Sequence, residues 1–226
     1  MSYFDKHSSK GVHDTDRGRL LLAGGLVIAP IPVIGLLGLV LALVGAIFVI
    51  IGRDAFGEKH SRYVFIAATV YTIGSIISFF IVASLGPEVR SAFQSTTDPA
   101  ALSAQLGSII DSYLLAGTVM GIMLGLSTVV FTYAIQNRVG KIILWVSFGT
   151  AILILVPVFV LSSQLSQAVY QATSRSDPSP LYALVDQMQA LRVLAIIPGI
   201  FYAIAYLNAR SLITNGERPG ILSLPN

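Results

Sequence analysis

Few residues in this chain have the types and spacing to do chemistry. The N-terminal stretch HSSKGVHDTD holds His7, His13, Asp14 and Asp16, side chains that can bind a divalent cation. Their spacing matches no standard metal site, and chain termini rarely hold ligands in place, so no metal is assigned. Asp111 and Arg192 lie near the ends of two long apolar runs and could meet as an ion pair. A single charge pair is not a mechanism. No Ser-His-Asp set, phosphate loop, haem pair or paired carboxylates can be assembled on one side of a membrane. Cysteine is absent, which removes thiolate nucleophiles, thiolate metal sites and disulfides. The expectation is a chain with no catalytic residues, no cofactor and no metal.

Such side chains would have to be positioned by elements of a particular kind. Of the 226 residues, 54% are hydrophobic and 11% charged. A soluble domain carries about a quarter charged residues, so too few are present here to cover a water-facing surface. Four apolar runs are long enough to span a bilayer: 63–85, 109–135, 142–161 and 194–213. Residues 20–51 are too long for one straight span and too short for two comfortable ones. The sequence APIP interrupts them at Pro30 and Pro32, each of which removes a backbone donor and disfavours helix just before it. A turn inside the membrane region follows from this better than a secretory signal, because no A-x-A-like cleavage site comes after the run. Pro157 and Pro198 lie within spans and predict kinks. No ionisable residue sits at mid-span, which counts against a proton-coupled pump. Thr69, Tyr71, Ser75, Thr118 and Thr132 could still line a path for a neutral solute.

Charge distribution chooses the topology, since Lys and Arg near spans stay on the cytoplasmic side. If residues 20–51 form a hairpin, Lys6, Lys10, Arg17, Arg19, Arg53, Lys59, Arg62, Arg138, Lys141, Arg210 and Arg218 share one side, with only Arg90, Arg175 and Arg192 opposite. A single crossing would split them evenly. The hairpin places both termini in the cytoplasm. The net charge of +3 is too small to argue for nucleic acid.

At an offset of 79 residues the chain matches itself without gaps. Ser95 meets Ser174, Asp98-Pro99 meets Asp177-Pro178, and Leu102 meets Leu181. Asp is a favoured helix N-cap and Pro suits the next position, so helices should start near Asp98 and Asp177. Each repeat then reads as two long helices joined at a polar tip, QSTTDPAA or ATSRSDPSP, projecting beyond the outer face. Gly117, Gly121 and Gly125 share one helix face, where small residues allow close backbone approach. Packing within the chain, an oligomer seam and a pore lining are the readings open to them.

The predicted fold is all-α: a polytopic membrane bundle of six helical segments. Its parts are an N-terminal tail (1–19), a short hairpin with a basic loop (20–62), two long helical hairpins (63–140 and 141–215) and a C-terminal tail (216–226). The stretch running from AGGLVIAPIPVIGLL to SRYVFIA, around residues 24–68, passes from a Gly-rich apolar segment through a Pro/Gly break and a second apolar helix to a short charged loop. In that order it resembles uncharacterised archaeal multi-span integral membrane proteins of unknown function. The resemblance implies an archaeal origin and a helical bundle, and it implies no activity. The expected role is a non-catalytic structural or accessory subunit in the cell membrane. Its expected partners are membrane lipids and another membrane or surface protein, or a second copy of the chain. The alternative is a channel or facilitator for a small or neutral solute.

Overall fold

Each helix starts or stops where the sequence offers a local reason. The computed structural model describes residues 3–31, 34–175 and 177–215, and all regular structure among them is helical. The elements are α1 (Tyr3–Ile28), α2 (Gly35–Gly52), α3 (Glu58–Ser95), α4 (Pro99–Tyr133), α5 (Arg138–Ser163), α6 (Leu165–Ser174), α7 (Ser179–Leu194) and α8 (Ile196–Thr214). A single residue separates α5 from α6 and α7 from α8, so six helical segments follow one another. Four of them are long and apolar enough to cross a membrane: Glu58–Ser95, Pro99–Tyr133, Arg138–Ala172 and Ser179–Thr214. Their most apolar stretches are only 11% to 35% buried. Side chains such as Phe79, Phe80 and Leu153 are exposed, as expected where lipid supplies the apolar surroundings. Pro32, Arg218 and the segment 216–226 lie outside the described residues, as do the side chains of Lys6, His7 and Arg192.

Prolines and helix breaks coincide only in part. α5 continues through Pro157, and a one-residue interruption follows at Gln164. There the Ser163 hydroxyl takes the Val160 carbonyl at 2.7 Å, and the Gln164 amide turns to Leu161 at 3.1 Å. A serine that bonds back to its own helix in this way displaces the regular ladder. Pro198 behaves as expected of a breaker, but from a distance. Its ring has no amide and crowds the carbonyl four residues earlier, so α7 ends at Leu194 and α8 starts anew after Ala195. Pro30 occupies the turn that follows α1. Gly57, at φ 84°, ends the tight turn Arg53–Phe56 in a conformation that side-chain-bearing residues avoid.

The N-terminal tail is corrected: α1 is helical from Tyr3, across most of the stretch expected to be a tail. Polar composition gives this segment little reason to be a helix, and packing supplies one. Gly11, Gly18 and Gly25 recur every seven residues on α1, as do Gly38, Gly45 and Gly52 on α2. A Cβ added at Gly18 would lie 2.6 Å from the Gly45 carbonyl oxygen, and one added at Gly45 would lie 2.5 Å from that of Gly18. Gly25 abuts Ala42, Gly38 abuts Ala29, and Gly52 abuts Thr15 and Gly11. The pairing runs in opposite directions along the two helices, backbone against backbone.

The chain divides into two compact units. The first takes in described residues within 1–71, 125–151 and 195–226; the second covers 72–124 and 152–194. In the first, α1 packs on both α2 and α8, and a core forms around Leu22, Val49, Val64, Ala67, Val129, Leu144, Ala205 and Tyr206. The Ser127 hydroxyl donates to the Ala67 carbonyl at 2.6 Å, joining α4 to α3. In the second unit, a small core of Ala92, Leu102 and Leu106 is flanked by Val89, Ile109, Ile110 and Val169.

Candidate functional site

Two groups of polar residues stand out, one in each unit. In the second unit the Asp-Pro tips begin helices through side-chain caps. Asp98 receives the Ala100 amide at 3.2 Å and the Ala101 amide at 3.3 Å, and Pro99 opens α4. Asp177 receives the Ser179 amide at 3.0 Å; Pro178 precedes the first residue of α7. These bonds satisfy amides that have no acceptor within the helix. The first tip is also tied internally, by the Thr96 hydroxyl on the Asp98 amide and by Ser95 Oγ on Gln105 Oε1 at 3.2 Å. Asp177 is fully exposed, and its carboxyl is held below the usual carboxylate range by the Ser179 hydroxyl first and the Ser179 amide second, with Arg175 adding to them. Phe93 and Tyr182 are exposed close to the tips.

Within the first unit lies a buried polar cluster that sequence reasoning missed. Arg19 on α1 is fully buried, and none of its three guanidinium nitrogens has a hydrogen-bond partner among the described residues. Its guanidinium lies over the Phe56 ring, 5.8 Å from the centroid. Phe56 in turn meets His60 edge to face at 5.5 Å. His60 is 1% exposed, and among the described residues neither of its ring nitrogens nor the buried Thr15 hydroxyl has a partner. Arg19 follows Gly18 about 100° further round α1, so it turns away from the glycine contact and toward Phe56 of the tight turn. His60 precedes Val64 and Ala67 at helical spacing, and all three are buried. Arginine counted only as a topology marker hides this placement. The seven-residue glycine spacing was the signal that could have revealed it.

Several other polar groups of the first unit are satisfied, although the buried Thr132 hydroxyl has no partner among the described residues. Asp16 accepts from Arg210 Nε at 2.9 Å, linking α1 to α8. The Gln136 amide donates to the Ala205 carbonyl at 2.6 Å, while Asn208 donates to Gln136 and Asn137. The Tyr206 hydroxyl donates to the Thr128 carbonyl at 2.9 Å.

The three glycines on α4 differ in their surroundings. A Cβ at Gly117 or Gly121 would meet nothing within 4 Å. Only Gly125 is in close contact, with the Phe148 ring 3.0 Å from an added Cβ. Thr69 bonds its own helix at the Phe65 carbonyl, Thr132 is fully buried, and Tyr71 is exposed. Asp111 is exposed. Among the described residues, no three His, Asp or Glu side chains gather to hold a metal. No family model, curated protein or solved structure matches the chain.

Proposed function

We propose that the chain is a non-catalytic integral membrane protein, a structural or accessory subunit that docks a membrane or surface partner through its two Asp-Pro tips. The observation that carries this reading is local order at an exposed polar surface. Both tips start helices with side-chain caps, and the first stands on a buried core of Ala92, Leu102 and Leu106. A surface ordered before binding loses less entropy when a partner arrives. Exposed Phe93 and Tyr182 add the aromatic type that most often anchors protein contacts.

The finer architecture belongs to the same proposal. The α3–α4 pair and the α5–α8 stretch are tandem repeats, as their matching ends, about 80 residues apart, suggest. α1 and α2 form a short hairpin, which leaves both termini on the cytoplasmic side with the basic residues and sets the tips on the outer side. A 38-residue helix such as α3 is about 57 Å long against a hydrocarbon core of about 30 Å, so it has length to spare beyond the bilayer.

The test is photo-crosslinking in native membranes from positions 94 and 182, beside the two tips. It compares the parent with the double variant Asp98→Ala, Asp177→Ala at equal membrane abundance. A discrete crosslinked protein is expected in the parent, with its yield at least halved in the double variant. Crosslinks to lipid alone, or an unchanged yield, would remove the docking role.

A further inference from the structure

The cluster around Arg19 is independent of the tips. A guanidinium keeps its charge at neutral pH and carries five N–H donors in a fixed fork. Buried without an acceptor, such a group is strongly unfavourable, and native interiors almost always supply a partner. Here no carboxylate among the described residues hydrogen-bonds Arg19. Asp16, on the same helix, is engaged by Arg210 at 2.9 Å. Asp54 accepts from Ser61 at 2.6 Å and lies 3.5 Å from Arg53. Glu58 pairs with Arg62 at 2.6 Å. The Phe56 ring covers one side of the guanidinium but accepts none of its N–H bonds in the plane.

Two further buried groups, Thr15 and His60, can donate. Thr15 lies one turn before Arg19 on α1, and its hydroxyl proton is uncommitted. His60 lies across Phe56, with an imidazole N–H to offer. We propose that Arg19, Thr15 and His60 hold a small inorganic anion of the halide class, buried between α1, α3 and the Phe56 turn. A charged guanidinium, a hydroxyl and an imidazole N–H together make an anion-selective donor set. Exposure of 1% or less at all three leaves no mouth for a phosphorylated headgroup or a nucleotide. A buried water could accept from Arg19 but would bring no negative charge to it.

The experiment uses the full chain in detergent, with unfolding followed by the fluorescence of Trp145. Potassium chloride is compared with potassium gluconate at constant ionic strength. The parent should melt higher in chloride by about 5 °C at saturation, and Arg19→Met should lose that difference. Should Arg19→Met fail to fold, Thr15→Val tests the same site with little change of shape. It should weaken the apparent chloride affinity roughly tenfold, the loss of one hydrogen bond to a charged group. Equilibrium binding of radiolabelled chloride should give one ion per chain in the parent. Equal melting in the two salts with no retained chloride would overturn the proposal. So would a full chloride response in Arg19→Met, or an unchanged affinity in Thr15→Val.

Discussion

A carboxylate just ahead of a helix ties down amides that would otherwise point at nothing, and Asp98 and Asp177 both do so. Because the cap is a bond across two or three residues, its chemistry can be read from the local sequence, and the Asp-Pro pairs announced both helix starts. Removing the Asp98 cap by Asp98→Ala should destabilise the start of α4 by about 1 kcal/mol. At Asp177 the effect should depend on pH, because the folded state holds this carboxyl below its ordinary value. A depressed folded value means that the stabilisation is complete above the unfolded value, near pH 4, and is lost as pH falls through the folded one. A nitroxide at Ser174→Cys should therefore show constant mobility from pH 7 to about pH 4 and rising mobility below it. Asp177→Asn keeps a capping oxygen and has no carboxyl to titrate, so its profile should stay flat. A profile that bends alike in parent and Asp177→Asn would trace the effect to another group.

Among the helices, the closest contact lies where polar sequence made helix least expected. α1 and α2 meet through glycines seven residues apart, a spacing that keeps one face aligned over two turns. The α4 triad at four-residue spacing looked like the better packing motif, yet Gly117 and Gly121 face open space. Glycine spacing identifies a face but says nothing of what lies opposite it. Gly45→Ala places a methyl against the Gly18 carbonyl and Leu22 and should destabilise the protein by about 1–3 kcal/mol. Gly121→Ala should be neutral or slightly stabilising, since alanine is the better helix former. Thermal unfolding of the two variants beside the parent decides it, and an equal loss in both would mean that a neighbour outside this chain covers Gly121.

For the molecule as a whole, the charge distribution makes a prediction that its helices alone do not. Cysteines introduced at Lys10, Lys59 and Asn215, all exposed, should resist a membrane-impermeant thiol reagent in intact cells. Those at Ser95 and Ser174, also exposed, should react. Labelling of Lys10→Cys but not Lys59→Cys would mean that residues 20–51 cross once, and it would move the N-terminus outside.

Hydrophobicity and local capping are properties of short stretches, so the sequence alone determined the all-helical class, the four helices able to cross a membrane and the two capped starts. Proline position was a weaker guide. It located the break at Pro198 but not the one at Gln164, which arises from serine hydroxyls bonding back to carbonyls of their own helix. The helicity of the N-terminal segment, the choice of packing glycines and the burial of Arg19 with His60 were decided by tertiary structure. Each depends on which surface another helix presents, at separations of tens of residues along the chain. Arg19 shows this most directly: its sequence neighbourhood is that of a charge at a membrane edge. Only tertiary packing, with Phe56 closing over the guanidinium, turns it into a buried cation with no hydrogen-bonded partner among the described residues.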